Sequence, residues 1–494
     1  MIEYPVLTTT TFLPAVGAAA ILLLGRTQIA RWIALATSLG TVAVSAPLYL
    51  WFDKSRVGLQ FEESARWIPE WNIAYGMGVD GISLPFIFLA TVLTVLCVGV
   101  SWTDIRKRVP EFYASLLVAE TAMIGLFAAA NLFLFFLFWE LTVVPLFLLI
   151  GVWGGPQRVY AAIKFLLFTL AGSVLMLLGM IVLYSATYSG SHAHGMLDFR
   201  DLARVSLPAG LQMWLFLAFL AAFSVKVPMF PVHTWLPDAH TEAPTAGSVI
   251  LAGILLKMGA YGFLRIALPI FPDAVQRFMT PMLVVSAVAI VYGAYVTLTQ
   301  TDMKRLIAYS SVSHMGFVTL GIFTLNGPGV KGAVLQMINH GINSAALFLC
   351  VGMIYERTHT REIKDYGGVF KVAPAYACFL ALFCLAASGF PGLSSFIGEF
   401  LIIGGAFQTQ MWLGAAAIWG VVLGTTYLVW LYYRVAMGEV NPNLHGLRLE
   451  LNAREIATLI PLAILTICLG VYPDLVLSYL SHSVDALLTA RGTP

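Results

Sequence analysis

Fourteen apolar stretches, each long enough to cross a hydrocarbon core, leave this chain one way to fold. They fall at about 8–25, 30–51, 80–102, 112–130, 131–151, 160–187, 211–240, 245–268, 278–299, 303–325, 330–355, 372–408, 412–437 and 454–479. A span needs roughly 20 apolar residues as a helix, and a helix satisfies every backbone N–H and C=O within its own segment. With 59% of 494 residues hydrophobic and 11% charged, little is left over for a soluble domain. The expected fold class is an all-α polytopic membrane protein of about 14 transmembrane helices.

The same inventory excludes several functions. A net charge of +2 with no long basic run offers no track for nucleic acid. Cys97, Cys350, Cys378, Cys384 and Cys468 all lie in apolar stretches without a C-x-x-C, so they are expected as structural thiols rather than cluster ligands. No Gly-rich phosphate loop follows a strand. The first apolar stretch lacks a basic flank and a small-residue cleavage site, and is expected to be retained as a span. Of the 27 Lys and Arg, fifteen lie in loops after odd-numbered stretches, nine on the other side, and three (Lys164, Lys226, Lys257) within helices. The richer side is expected to face the cytoplasm or matrix, with both termini opposite.

Two stretches are too long for plain spans, and each contains a helix breaker. In the first, Lys226 is followed by Pro228, Pro231 and Pro237; in the second, S-G-F-P-G-L-S-S-F-I-G-E-F places Pro391 between glycines with Glu399 just beyond. Proline removes a backbone donor, and a break at membrane depth survives only where protein or a water-filled cavity satisfies the freed groups. Paired interrupted helices mark internal repeats with a site at their interface. The expected organisation is helices 1–3 over 1–111, a five-helix unit over 112–268, a second over 269–437 and a C-terminal helix within 438–494. With the broken helix fourth in each unit, and five being odd, the second unit is expected to run inverted.

Ionisable groups inside hydrocarbon are costly and mark ion paths. Glu140 follows a run of apolar and aromatic residues, and Lys226 is its candidate partner. The pair either exchanges a proton or is a static ion pair that fixes packing. Lys257 sits about twelve residues from either end of its helix, too deep to snorkel. An amine taken out of water gives up its proton more readily, which suits a carrier. His314 and His340 are central in consecutive helices among Ser310, Ser311, Ser313, Asn339 and Asn343, groups able to hold water between them. Each histidine alone could equally be a packing residue. Glu399 either ends such a path or is a helix-start carboxylate favoured by the dipole. Glu120 is a relay member or a packing partner. Lys164, near its helix end, is expected to reach the positive side. His233, Asp238, His240 and Glu242 only loosely resemble a metal-ligand spacing, and the intervening prolines favour a turn. His192, His194, His359, His445 and His482 carry no usable signal.

Five motifs together carry a resemblance. They are F-W-E-L at Glu140, K-V-P-M-F-P-V-H-T-W-L-P-D-A-H-T-E-A-P from Lys226, and L-K-M-G-A-Y-G at Lys257. D-M-K-R-L-I-A-Y-S-S-V-S-H-M-G through His314 and F-P-G-L-S-S-F-I-G-E-F through Glu399 complete the set. The chain resembles the antiporter-like proton-translocating membrane subunits. That family includes membrane-arm subunits of proton-pumping NADH:quinone oxidoreductase (respiratory complex I), of membrane-bound hydrogenases and of multisubunit sodium/proton antiporters. The resemblance implies two inverted five-helix repeats, a Glu140–Lys226 pair, a central amine at Lys257 and a hydrophilic axis through His314 and His340 to Glu399. It implies no cofactor in this chain, with NADH, FMN, iron–sulfur clusters and quinone held by other subunits. Expected partners are other membrane-arm subunits, neighbouring antiporter-like ones among them, and the lipid bilayer; no nucleic acid is expected. The expected location is a bacterial inner (plasma) membrane, with the mitochondrial inner membrane as the alternative. A glutamate at the second break, where relatives generally carry lysine, and the absence of a long lateral helix favour the complex I branch. The alternatives are a sodium/proton antiporter subunit, a hydrogenase subunit, or a scaffold that conducts nothing.

Overall fold

The computed structural model describes residues 4–188 and 195–489; His192, His194 and Arg491 lie outside them. Among the described residues, thirteen helices are long and apolar enough to cross a membrane. In order they are α1 (Val6–Leu24), α2 (Thr27–Leu50), α3 (Leu84–Asp104), α4 (Val109–Ala128), α5 (Leu132–Trp153), α6 (Arg158–Thr187) and α7 (Ala209–Lys226). After the short α8 (Trp235–Glu242) come α9 (Thr245–Ile270), α10 (Pro272–Leu298), α11 (Met303–Phe323) and α12 (Gly327–Thr358). Two shorter helices, α13 (Pro374–Ala387) and α14 (Ser394–Thr409), make a broken fourteenth span, before α15 (Met411–Ala436) and α16 (Ala453–Val471).

Helix starts are set locally. Asn131, Asp302 and Asn326 each accept a hydrogen bond from the backbone N–H three residues on, and Asn452 with Glu455 forms a capping box at α16. The stretch expected as one helix over 454–479 is instead two. α16 stops at Val471, and α17 (Asp474–Thr489) follows. The cause is Pro473, which drives Tyr472 out of the helical region, to φ −132° and ψ 73°.

A second departure is a β-hairpin between α2 and α3, with β1 (Gln60–Ile68) antiparallel to β2 (Ile73–Val79). Its sequences lack a clean apolar alternation, so nothing in them announced strands. The hairpin closes a helix end: Glu63 Oε1 accepts from Leu7 N at 2.7 Å and Oε2 from Thr8 N at 2.9 Å. Those are orphan donors of the first turn of α1, and the carboxylate also suits the positive end of the helix dipole.

The bundle buries the apolar middle of α12 completely and those of α9 and α11 nearly as fully, whereas α2, α6 and α16 present much of their surface outward. The close crossing of α9 and α12 depends on small residues. A Cβ at Gly341 would lie 2.8 Å from the Gly253 carbonyl oxygen. Lys257, His314 and His340 ride on these three central helices.

At both breaks, side chains donate to backbone carbonyls. At the first, Trp235 Nε1 donates to Val225 O at 2.9 Å and Arg361 Nη1 to Thr241 O at 2.5 Å, while the Lys304 ammonium donates to Ala243 O. At the second, Thr425 Oγ1 donates to Ser388 O at 3.3 Å and Asn339 Nδ2 to Ser394 O at 2.6 Å. Side chains do here what the interrupted helix does not.

Candidate functional site

The centre of the site is Lys257, with no exposed surface. α9 is α-helical only over Leu256–Gly262 here, with π-helical turns at Leu251–Leu255 and Phe263–Ala267 on either side. A π turn leaves backbone carbonyls without their usual partner, and such turns recur at functional positions. The Lys257 ammonium donates to Ala252 O, in the first of these turns. Its Nζ also lies 2.7 Å from His340 Nδ1, so one proton is held between two nitrogens.

From His340 the polar groups continue laterally as a ladder. His340 Nε2 has no hydrogen-bond partner, and the His314 ring stands 5.5 Å away between centroids. Between them is a cavity of about 10 Å³ lined by Ser310, His314, Gln336, His340, Asn343, Ser344 and Ser395. That volume suits one water. His314 Nδ1 is 3.7 Å from Glu399 Oε1, and its Nε2 is 3.4 Å from the Tyr427 hydroxyl. Asn343 ties the far wall, donating to Ser394 Oγ and Ser395 Oγ at 3.0 Å while Thr466 donates to it.

Glu399 is the sixth residue of α14, in its second turn. The helix-dipole explanation fades within the first turn, so the carboxylate is not there as a helix-start residue. Gln336 Nε2 donates to its Oε1 at 3.1 Å. Its Oε2 lies against the break: a Cβ at Gly389, where φ is +73°, would sit 2.4 Å from that oxygen.

The expected Glu140–Lys226 ion pair is not formed within 4.0 Å. Lys226 Nζ instead donates to Thr142 Oγ1 at 3.2 Å and lies 5.1 Å from the Trp139 ring centre. Glu140 is half-buried with its Oε1 unpartnered, whereas Thr142, two residues on, is fully buried. Glu120 is fully buried with neither oxygen hydrogen-bonded. Lys164 reaches an ion pair with Asp238 at 2.7 Å, where Arg305 also approaches at 3.7 Å, rather than ending in open water.

The four residues weighed as metal ligands go separate ways. Asp238 pairs with Lys164, Glu242 accepts from Gln157 N at 2.8 Å, and His233 packs edge-on to Tyr292. His240 is fully buried, stacked flat on Phe348 at 4.7 Å, with both ring nitrogens unpartnered. His240 lies on α8, and Lys304 grips the end of that helix through the Ala243 carbonyl. Lys304 in turn lines a cavity of about 410 Å³ with Asp104, Glu242, Glu356 and Arg361, on the face that carries Arg106 and Lys107. Sequence reasoning missed Gln336, Tyr427 and the position of His240. Gln336 was findable, lying one turn before His340 on the same helix face; Tyr427 gave no signal.

A buried series of amine, imidazole and carboxylate groups across a bundle with two broken helices defines an antiporter-like membrane subunit. The chain belongs to the NADH:quinone oxidoreductase/Mrp antiporter transmembrane family, which it matches over residues 129–424. It is 47% identical over 492 residues to "NADH-quinone oxidoreductase subunit M" of Rhodobacter capsulatus, covering 97% of this chain and 95% of that protein. It is 44% identical to "NADH-ubiquinone oxidoreductase chain 4" of Arabidopsis thaliana, covering 96% and 95%. Among solved structures, a chain of respiratory complex I from Thermus thermophilus is similar at a TM-score of 0.88 and 30% identity, over 99% of this chain and 100% of that one. A chain of the Mrp complex from Dietzia has the same fold at a TM-score of 0.85 and 18% identity, over 99% of this chain and 100% of that one.

Proposed function

We propose that this chain is a proton-translocating membrane-arm subunit of NADH:quinone oxidoreductase in the inner (plasma) membrane of a bacterium. It works beside other membrane-arm subunits, neighbouring antiporter-like ones among them. It couples NADH oxidation and quinone reduction, carried out by cofactors in other chains, to proton movement. The observation that carries the reading is the run Lys257–His340–His314–Glu399: the first two are hydrogen-bonded, a cavity the size of one water adjoins both histidines, and His314 Nδ1 stands 3.7 Å from Glu399 Oε1. Such a run has no use in a scaffold, where buried ionisable groups only cost stability.

The roles follow from position. The cavity at Lys304 supplies protons from the basic face and His240 passes them inward. Lys257 holds the central proton, His340 and His314 carry it sideways, and Glu399 delivers it at the second break. Glu140 and Lys226 set the charge near the first break. The two five-helix units, 112–268 and 269–437, act as inverted halves that meet along α9 and α12. Moving one proton against a total gradient equivalent to roughly 180 mV costs about 4 kcal/mol. The ladder's proton affinity must therefore alternate by about three pH units per cycle.

The test is Lys257→Ala in the assembled complex, reconstituted in vesicles, with the proton-to-electron ratio measured during quinone reduction. A ratio well below wild type with normal assembly supports the reading. A wild-type ratio sinks it.

A further inference from the structure

Gln336 stands on α12 one turn before His340, fully buried, and its Nε2 donates to Glu399 Oε1 at 3.1 Å. Among the described residues it is the one side chain hydrogen-bonded to Glu399, His314 Nδ1 being 3.7 Å off. Its own Oε1 is buried without a partner. That oxygen lies against α14 where the helix has no side chain: a Cβ at Gly398 would come within 2.6 Å of it. A donor end is thus used, an acceptor end is spare, and the wall beside the acceptor end is a glycine.

We infer that Gln336 is the positioning residue that holds Glu399 in both of its protonation states, by turning its side-chain amide end for end. The inference rests on the proposed function, in which Glu399 gains and loses a proton each cycle. The proton passes from His314 Nδ1–H to the Glu399 carboxylate, leaving neutral imidazole and a carboxylic acid. Gln336 itself gains and loses nothing. An ionised carboxylate only accepts, and the amide N–H meets that need; a carboxylic acid also donates, and the amide oxygen meets that one. The last torsion of a glutamine is broad and roughly two-fold, so a half turn exchanges the two ends without moving the helix. A purely structural glutamine would have both ends satisfied. Here the unused end is held in reserve.

Three substitutions separate the possibilities in the assembled complex in vesicles. Gln336→Met keeps length and loses both ends. Gln336→Lys supplies a donor alone and fixes Glu399 as an ionised partner. Gln336→Glu gives a second carboxyl that, sharing one proton with Glu399, can both donate and accept. We expect Met and Lys each to lower the proton-translocation rate about tenfold or more, the scale of one hydrogen bond to a charged group. Glu should retain more than either. In a Glu399→Gln background, Gln336→Met should cause no further loss, because Gln336 acts through Glu399.

A wild-type proton-to-electron ratio in Gln336→Met or Gln336→Lys overturns the inference, as does a further loss in the double variant. Should Gln336→Met not assemble, Lys against Glu decides: equal ratios overturn it, and a higher ratio for Glu supports it. Lys257→Ala, run in parallel, separates this inference from the functional reading. If it too pumps normally the chain is no conduit; if only the Gln336 variants do, this inference alone falls.

Discussion

We predict that Gly389→Ala uncouples the complex by displacing Glu399. Gly389 adopts φ +73°, and an alanine Cβ there would lie 2.4 Å from Glu399 Oε2. Ordinary carbon contacts are about 3.5 Å or more, so the carboxylate must retreat by roughly 1 Å. The left-handed backbone itself costs an alanine about 1–2 kcal/mol, and that part has nothing to do with the carboxylate. A Cβ at Gly392, in the same break at φ +86°, would meet nothing within 4 Å, so an alanine there carries the backbone cost alone. Gly392→Ala is therefore the matched control. A retreat of about 1 Å breaks the 3.1 Å hydrogen bond from Gln336. A hydrogen bond to a charged group is worth about 1.5–3 kcal/mol, which is roughly 10- to 150-fold in a rate that depends on it. The assay is proton translocation by reconstituted vesicles, with quinone reductase activity and complex abundance alongside. Gly389→Ala should lose most translocation at near-normal abundance, and Gly392→Ala little. If both variants translocate alike, the contact between the break and Glu399 is not what matters.

Three further outcomes are expected. Lys257→Arg should fail as badly as Lys257→Ala, because guanidinium stays protonated at any accessible pH; a fully active arginine variant would show that a fixed charge suffices. His240→Phe keeps the stack on Phe348 but removes both ring nitrogens, and translocation should fall at least tenfold without loss of assembly. Unchanged translocation there would move the intake route away from His240. Glu140→Gln should abolish most pumping although Lys226 is held by Thr142, whereas Thr142→Val should cost less; the reverse order in the proton-to-electron ratio would make Thr142 the functional partner.

The spans were legible because long apolar runs admit only helices in lipid. Both breaks were legible because Pro228, Pro231 and Pro391 interrupt them. Lys257, His314, His340 and Glu399 stood out since each is an ionisable group in an apolar run. Their convergence was not legible, for it depends on how α9, α11, α12 and α14 cross. Three things stayed hidden for physical reasons. The Glu140–Lys226 distance depends on which way α5 rotates, and two residues of helix turn one side chain through about 200°. Gln336 is uncharged, so it did not stand out by type. The hairpin of β1 and β2 has no alternation, its pairing being supported by what Glu63 does for α1.

The clamped carbonyls at the end of α8 have a mechanical consequence. Lys304 belongs to α11 and Arg361 to the segment after α12, yet both grip carbonyls at or just past α8, Ala243 and Thr241. Breaking either grip leaves a buried carbonyl without its donor, a cost of about 1–3 kcal/mol. Sliding the first break past its neighbours costs those two hydrogen bonds, so a small displacement drags α11 and the segment after α12 with it. A displacement begun at Lys226 arrives at α11 as a pull on its first turn, two helical turns and more from His314. The end of α8, the start of α11 and the segment after α12 share a strut, and force applied to one is felt by the others.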